Sequence, residues 1–139
     1  MDYLKQTALL ELERAEMDLY DGKSVRRLVL VGNLERKQID ISAFTIDEVQ
    51  RIIDESSEYA PAFVLTLSNT RDDCRMVVCN VFTRERTELC ARAFKQAEDR
   101  VVSVTTEFPS VFTRVDYKQG PIRNPWPSSY MAEKDVQHS

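Results

Sequence analysis

Residues 74–94, CRMVVCNVFTRERTELCARAF, join one apolar stretch to another with no Gly or Pro between them. This junction constrains the chain more than any other part of it. In CRMVVCNVFT, Met76, Val78 and Phe82 fall on one side of an extended strand, and Val77, Cys79 and Val81 on the other. A strand apolar on both faces lies centrally in a sheet, covered from both sides. Beyond it, Thr83 is placed as a helix N-cap, and Glu85 would sit in a first turn where its charge suits the helix dipole. Leu89, Cys90, Ala93, Phe94, Ala97 and Val101 then recur at helical spacing, with Glu88, Arg92, Lys95 and Glu98 off that stripe. The pattern predicts a strand passing directly into a long amphipathic helix that folds back over the sheet.

Upstream, YLKQTALLELERAEMDLY (3–20) carries Leu4, Ala8, Leu12, Ala15 and Leu19 at helical spacing among strong helix formers. Leu10 and Leu12, then Met17 and Leu19, also alternate as two short strands would, and helix is the favoured reading. After the Asp21-Gly22 turn, VRRLVLVG (25–32) and KQIDISAF (37–44) read as a hairpin across GNLER, with Ile39, Ile41 and Ala43 on one face. In TIDEVQRIIDES, Thr45 and Glu48 match a capping box, and Ile46, Val49 and Ile53 share a helix face. AFVLTLS alternates as a half-buried strand, and SNTRDD turns the chain back. Past residue 105, five prolines and glycines break all periodicity. The expected organisation is one globular α+β domain over 1–105 and an extended tail over 106–139. That tail holds Phe108, Phe112, Tyr117, Trp126 and Tyr130, and VFTRVDY could supply one more strand.

Composition narrows the function. With 139 residues, 42% hydrophobic and 30% charged, the chain has the make-up of an ordinary globular domain. A formal charge of −4 and a pI near 5.1 argue against nucleic acid, whose phosphates demand clustered Lys and Arg. No apolar run is long enough for a membrane span and MDYLKQ is no signal-peptide core, so a cytoplasmic place is expected. Cys74, Cys79 and Cys90, odd in number and set in apolar patterns, read as buried, reduced thiols.

Catalytic readings find little support. His138, the only histidine, lies in a polar tail, so neither a His triad nor a His metal site can be built. Three scattered glycines exclude a phosphate-cradling loop, and no cofactor or metal is expected. Asp72 and Asp73 stand in a turn-forming run and read as solvated turn residues.

AFVLTLS, NTRDD, CNVF (79–82) and ARAFKQA (91–97) follow one another in an order that resembles the C-terminal part of a phosphotyrosine-binding (PTB) domain, a member of the pleckstrin-homology superfold. The resemblance covers about residues 60–103. It implies an antiparallel sheet capped by the C-terminal helix, strands rather than helices over 8–20, and a groove strand over 45–55. An extended peptide would add to the edge of the strand carrying Val49, Arg51 and Ile53. Leu89, Arg92, Ala93 and Phe94 of the helix would read its side chains. Phosphate recognition would need converging Arg groups, which the sequence does not assign. The resulting expectation is a non-catalytic adaptor or scaffold domain for a peptide or partner protein. The alternative is an α-β-β-α-β-β-α sandwich, a homodimerising subunit or chaperone-like factor. Third comes a small enzyme working with carboxylates alone.

Overall fold

The computed structural model describes residues 2–22, 25–32, 35–71, 73–104, 112–115 and 121–126. Asp72, Phe108, Tyr117, Tyr130 and His138 lie outside the described residues. The elements are α1 (Asp2–Tyr20), β1 (Arg27–Val31), β2 (Arg36–Asp40), α2 (Ile46–Ser56), β3 (Ala62–Arg71), β4 (Cys74–Thr83), β5 (Thr87–Ala97), β6 (Arg100–Val104) and β7 (Thr113–Val115). The strands form one antiparallel sheet in the order β2-β1-β3-β4-β5-β6, with β7 also paired to β5.

Residues 2–20 are helical, as their helix formers favour. The helix ends at Gly22, whose φ of +71° is the left-handed conformation that glycine adopts without a Cβ clash. Ala8, Leu12 and Ala15 put one side of α1 on the sheet, against Val29, Val64, Val77, Cys79 and Phe94. Ion pairs add a second tie. Arg27 of β1 reaches Asp18 at 2.9 Å and the buried Glu11 at 3.4 Å.

The capping box forms as the sequence indicates: Thr45 Oγ1 accepts from the Glu48 N–H, and the Glu48 side chain accepts from the Thr45 N–H. It starts α2, whose Val49 and Ile53 pack on the opposite sheet face with Leu28, Phe63, Leu65 and Phe82. A segment of the tail closes this second core. Ile122 and Trp126 are buried there, with Trp126 5.4 Å from Phe63 between ring centroids. The Gln50 amide exchanges two hydrogen bonds with the backbone of Arg123, and Asn124 Nδ2 donates to the Thr83 carbonyl. The stretch VFTRVDY contributes β7.

The long C-terminal helix does not exist, which corrects both expected architectures. Residues 87–97 are β5, paired with β4 from Phe82↔Thr87 to Arg75↔Phe94, and 100–104 are β6. The expected N-cap contact is made, since Thr83 Oγ1 accepts from the Arg86 N–H. A hydroxyl bonded three residues on is common to a helix start and a tight turn. Here the Thr83 N–H also donates to the Arg86 carbonyl and closes a hairpin. β4 supplies the physical reason. A central strand has two edges of backbone N–H and C=O groups to satisfy, and β3 occupies one of them. A helix over 83–101 would leave the other edge open, whereas β5 fills it. The strands required by the PTB resemblance over 8–20 and 45–55 are likewise helices, α1 and α2.

Candidate functional site

The expected groove residues divide among separate places. Val49 and Ile53 are fully buried beneath α2, while Arg51 is exposed on its outer side. On β5 the side chains alternate between faces. Leu89 and Ala93 therefore meet in a small cluster with Met76 and Ala91. Phe94 lies on the other face under α1, and Arg92, half-buried, shares that face beside Cys90. Leu89 and Ala93 come together, as do Val49 and Ile53. The helix expected to wall a groove against residues 49–53 is the strand β5, and residues 49–53 themselves belong to the helix α2.

Cys79 and Cys90 face each other across β4 and β5 and are buried, whereas Cys74 is half-buried near the β3–β4 turn. Burial pushes the Cys79 thiol far above its ordinary range. Burial also raises Cys90, partly offset by Arg92. Both are held as neutral thiols, the opposite of an activated nucleophile. Asp73 takes a left-handed turn conformation, with φ of 66°, as a turn residue does. Between α1 and the sheet, Glu11 and Thr66 each bury an oxygen that has no hydrogen-bond partner among the described residues. Glu11 belongs to the Arg27 ion pairs that fix the helix to the sheet. Two shallow clefts of about 270 and 260 Å³ flank the ends of α1. The first holds the Arg86–Glu88 ion pair, at 2.6 Å. Among the described residues no group of three or more His, Cys, Asp or Glu could hold a metal, and no helix is long and apolar enough to cross a membrane.

The outer edge of the sheet is different. β2, RKQID, is exposed at Arg36, Lys37, Gln38 and Asp40 and half-buried at Ile39. Its register with β1 fixes where its backbone points. Gly32 N–H donates to the Glu35 carbonyl at 2.8 Å, so this pair is a hydrogen-bonded one. Such pairs alternate along an antiparallel ladder. Lys37 and Ile39 therefore bond to Leu30 and Leu28, while the N–H and C=O groups of Arg36, Gln38 and Asp40 face away from β1. Among the described residues no strand occupies that side.

Two of the outward residues are braced. The Arg36 guanidinium lies over the Tyr3 ring, 4.5 Å from its centroid. Asp40 Oδ1 accepts from the Ser42 N–H at 2.9 Å and from the Ser42 hydroxyl. These hydrogen bonds hold the Asp40 carboxyl below its ordinary range, so it is ionised at neutral pH. The alternation in KQIDISAF places the start of this strand at Lys37, one residue late, and carries no mark of a binding edge. The available signal was its charge, three ionised side chains in five residues, which marks a sheet edge rather than a centre. No family model, curated protein or solved structure matches the chain.

Proposed function

We propose that the chain is a non-catalytic protein-interaction domain that takes up an extended segment of its partner along the free edge of β2. The observation that carries this is the row of outward backbone groups on Arg36, Gln38 and Asp40, on an exposed and well-paired strand. Strand addition uses such a row: backbone hydrogen bonds supply affinity, and alternate side chains supply selectivity. Exposed Leu10 and Met17, a heptad apart on the outer side of α1, add an apolar surface of the kind interaction domains display. The buried, neutral thiols serve the core in this reading.

The test uses random peptides displayed on phage, with the full chain as bait. Selected peptides are expected to perturb amide resonances of residues 36–40 first. Gln38→Pro removes one outward N–H and leaves the ladder to β1 intact, so it should abolish binding in a folded protein. Failure to select any peptide, or peptides that bind Gln38→Pro as well as wild type, would overturn the proposal.

A further inference from the structure

We infer that the free edge of β2 pairs with the same edge of a second copy of this chain, antiparallel and two-fold symmetric about Gln38, so that Arg36 of each copy faces Asp40 of the other. The inference rests on the reading above that this edge is the docking surface, and it names the partner.

Backbone geometry selects the register. Only residues with outward groups can exchange hydrogen bonds across the new seam, so Arg36, Gln38 and Asp40 must oppose one another. With the axis at Gln38, the two Gln38 residues form one bonded pair and the two Arg36/Asp40 combinations form the others. Every outward group on the strand is then satisfied. Moving the axis to Lys37 sets Arg36 against Gln38 and leaves Asp40 beyond the overlap. Moving it to Ile39 sets Gln38 against Asp40 and runs Arg36 past the strand end. Only the central register uses the whole strand.

The side chains agree with that register. Arg36, Gln38 and Asp40 alternate onto one face of β2, so directly opposed partners meet on the same face. The Tyr3 ring meets the Arg36 guanidinium from one side, 4.5 Å from Cζ to the ring centroid, and the guanidinium's five N–H groups exceed what that contact uses. Asp40 spends Oδ1 on Ser42, and Oδ2 is left to accept from Arg36 of the second copy. On the other face Lys37 opposes Ile39, and its aliphatic stem can cover the exposed part of Ile39 while the ammonium stays in water. The two Lys37 charges are only diagonal neighbours across the axis.

A charged edge ordinarily repels other strands. This one sets Arg36 against Asp40 when its own sequence runs antiparallel to it and like charges together when it runs parallel in register, which is a source of selectivity. The five-residue overlap is small beside a standard interface, so the dimer is weak and concentration-dependent.

Sedimentation velocity on the full chain, over concentrations up to about 0.5 mM, tests this. Wild type should pass from monomer to dimer. Arg36→Asp and Asp40→Arg should each weaken dimerisation at least tenfold, because each places two like-charged pairs across the seam. An equimolar mixture of the two variants should recover wild-type dimerisation, since both cross-copy pairs are then opposite in charge. Thermal melting of each variant confirms folding. If either charge variant fails to fold, loss of the dimer in Gln38→Pro supports the proposal, and its persistence overturns it. A wild-type chain that stays monomeric overturns it as well, as do single variants that dimerise normally or a folded mixture that does not recover. Failure here while phage-selected peptides still bind in a Gln38-dependent way removes the self-pairing alone. Failure of both removes the β2 edge as a docking site.

Discussion

The middle of the sheet and its β1–β2 flank share strand geometry but are held by different forces. In β4 and β5, Val77, Cys79, Phe82, Ala91 and Phe94 are all at most 2% exposed, and apolar side chains cover both faces. On the flank, β1 is buried, but its tie to α1 includes the Arg27 ion pairs, and β2 beyond it is, among the described residues, bonded along one edge only. Hydrophobic burial is non-directional and scales with area, so a wide centre holds firmly without particular partners. Ladder bonds and ion pairs act one group at a time. The flank can therefore offer unpaired backbone to a partner without loosening the core.

The largest effect is expected at the centre. Phe94→Ala removes a ring packed between α1 and β5 and should cost about 3–5 kcal/mol by urea denaturation. Marked loss of binding with an unchanged midpoint would instead place Phe94 at a ligand surface and reverse the contrast. Arg27→Met comes second. It strands Glu11, which is 3% exposed, without its main cation. Breaking such a pair costs roughly 3 kcal/mol, at the low end of the range because Arg27 keeps some contact with water. Exchanging Glu11 for Gln in the same background should recover part of that loss, as it removes the uncompensated charge.

How far this contrast was legible in the sequence depends on how local each signal was. α1 and α2 could be read because helix formers, a terminal glycine and a capping box act within a few residues. β5 could not. TELCARAFKQA is composed mostly of good helix formers, and its adjacent apolar pairs, Leu89/Cys90 and Ala93/Phe94, fit either a helix stripe or a strand buried on both faces. The Thr83–Arg86 contact belongs equally to a cap and to a turn. What settles the matter is the open edge of β4, a demand set by a strand distant in space from most of the local pattern. The expected binding residues followed that helix, and its replacement by a strand sent Leu89 and Ala93 to one face, Arg92 and Phe94 to the other. The charge of RKQID was visible throughout, but its meaning depended on knowing that β2 is outermost.

Within β2, two neighbouring positions sharpen the comparison further. Lys37 directs its N–H to β1, so Lys37→Pro deletes a ladder bond and leaves the Leu30 carbonyl without its donor. A cost of about 1–3 kcal/mol is expected, read from the denaturation midpoint, with amide protection lost along the β1–β2 hairpin.

Gln38→Pro should have the smallest effect on stability. The N–H it removes faces away from β1, so no bond within the chain is lost, and Lys37 before it is already extended, as the residue preceding proline prefers. Proline's φ near −65° is tighter than a typical strand, which strains the edge slightly. Restricting the unfolded chain offsets this by about 0.4–1 kcal/mol. The net change should lie within about 0.5 kcal/mol of zero. The informative quantity is the difference between the two prolines. Comparable destabilisation by both would mean that Gln38 also bonds inward, that the register deduced from the Gly32–Glu35 pair is wrong, and that the β2 edge presents a different set of groups to any partner. A stable Gln38→Pro beside a weakened Lys37→Pro would fix the outward row at Arg36, Gln38 and Asp40, and would make loss of association in Gln38→Pro attributable to one missing donor.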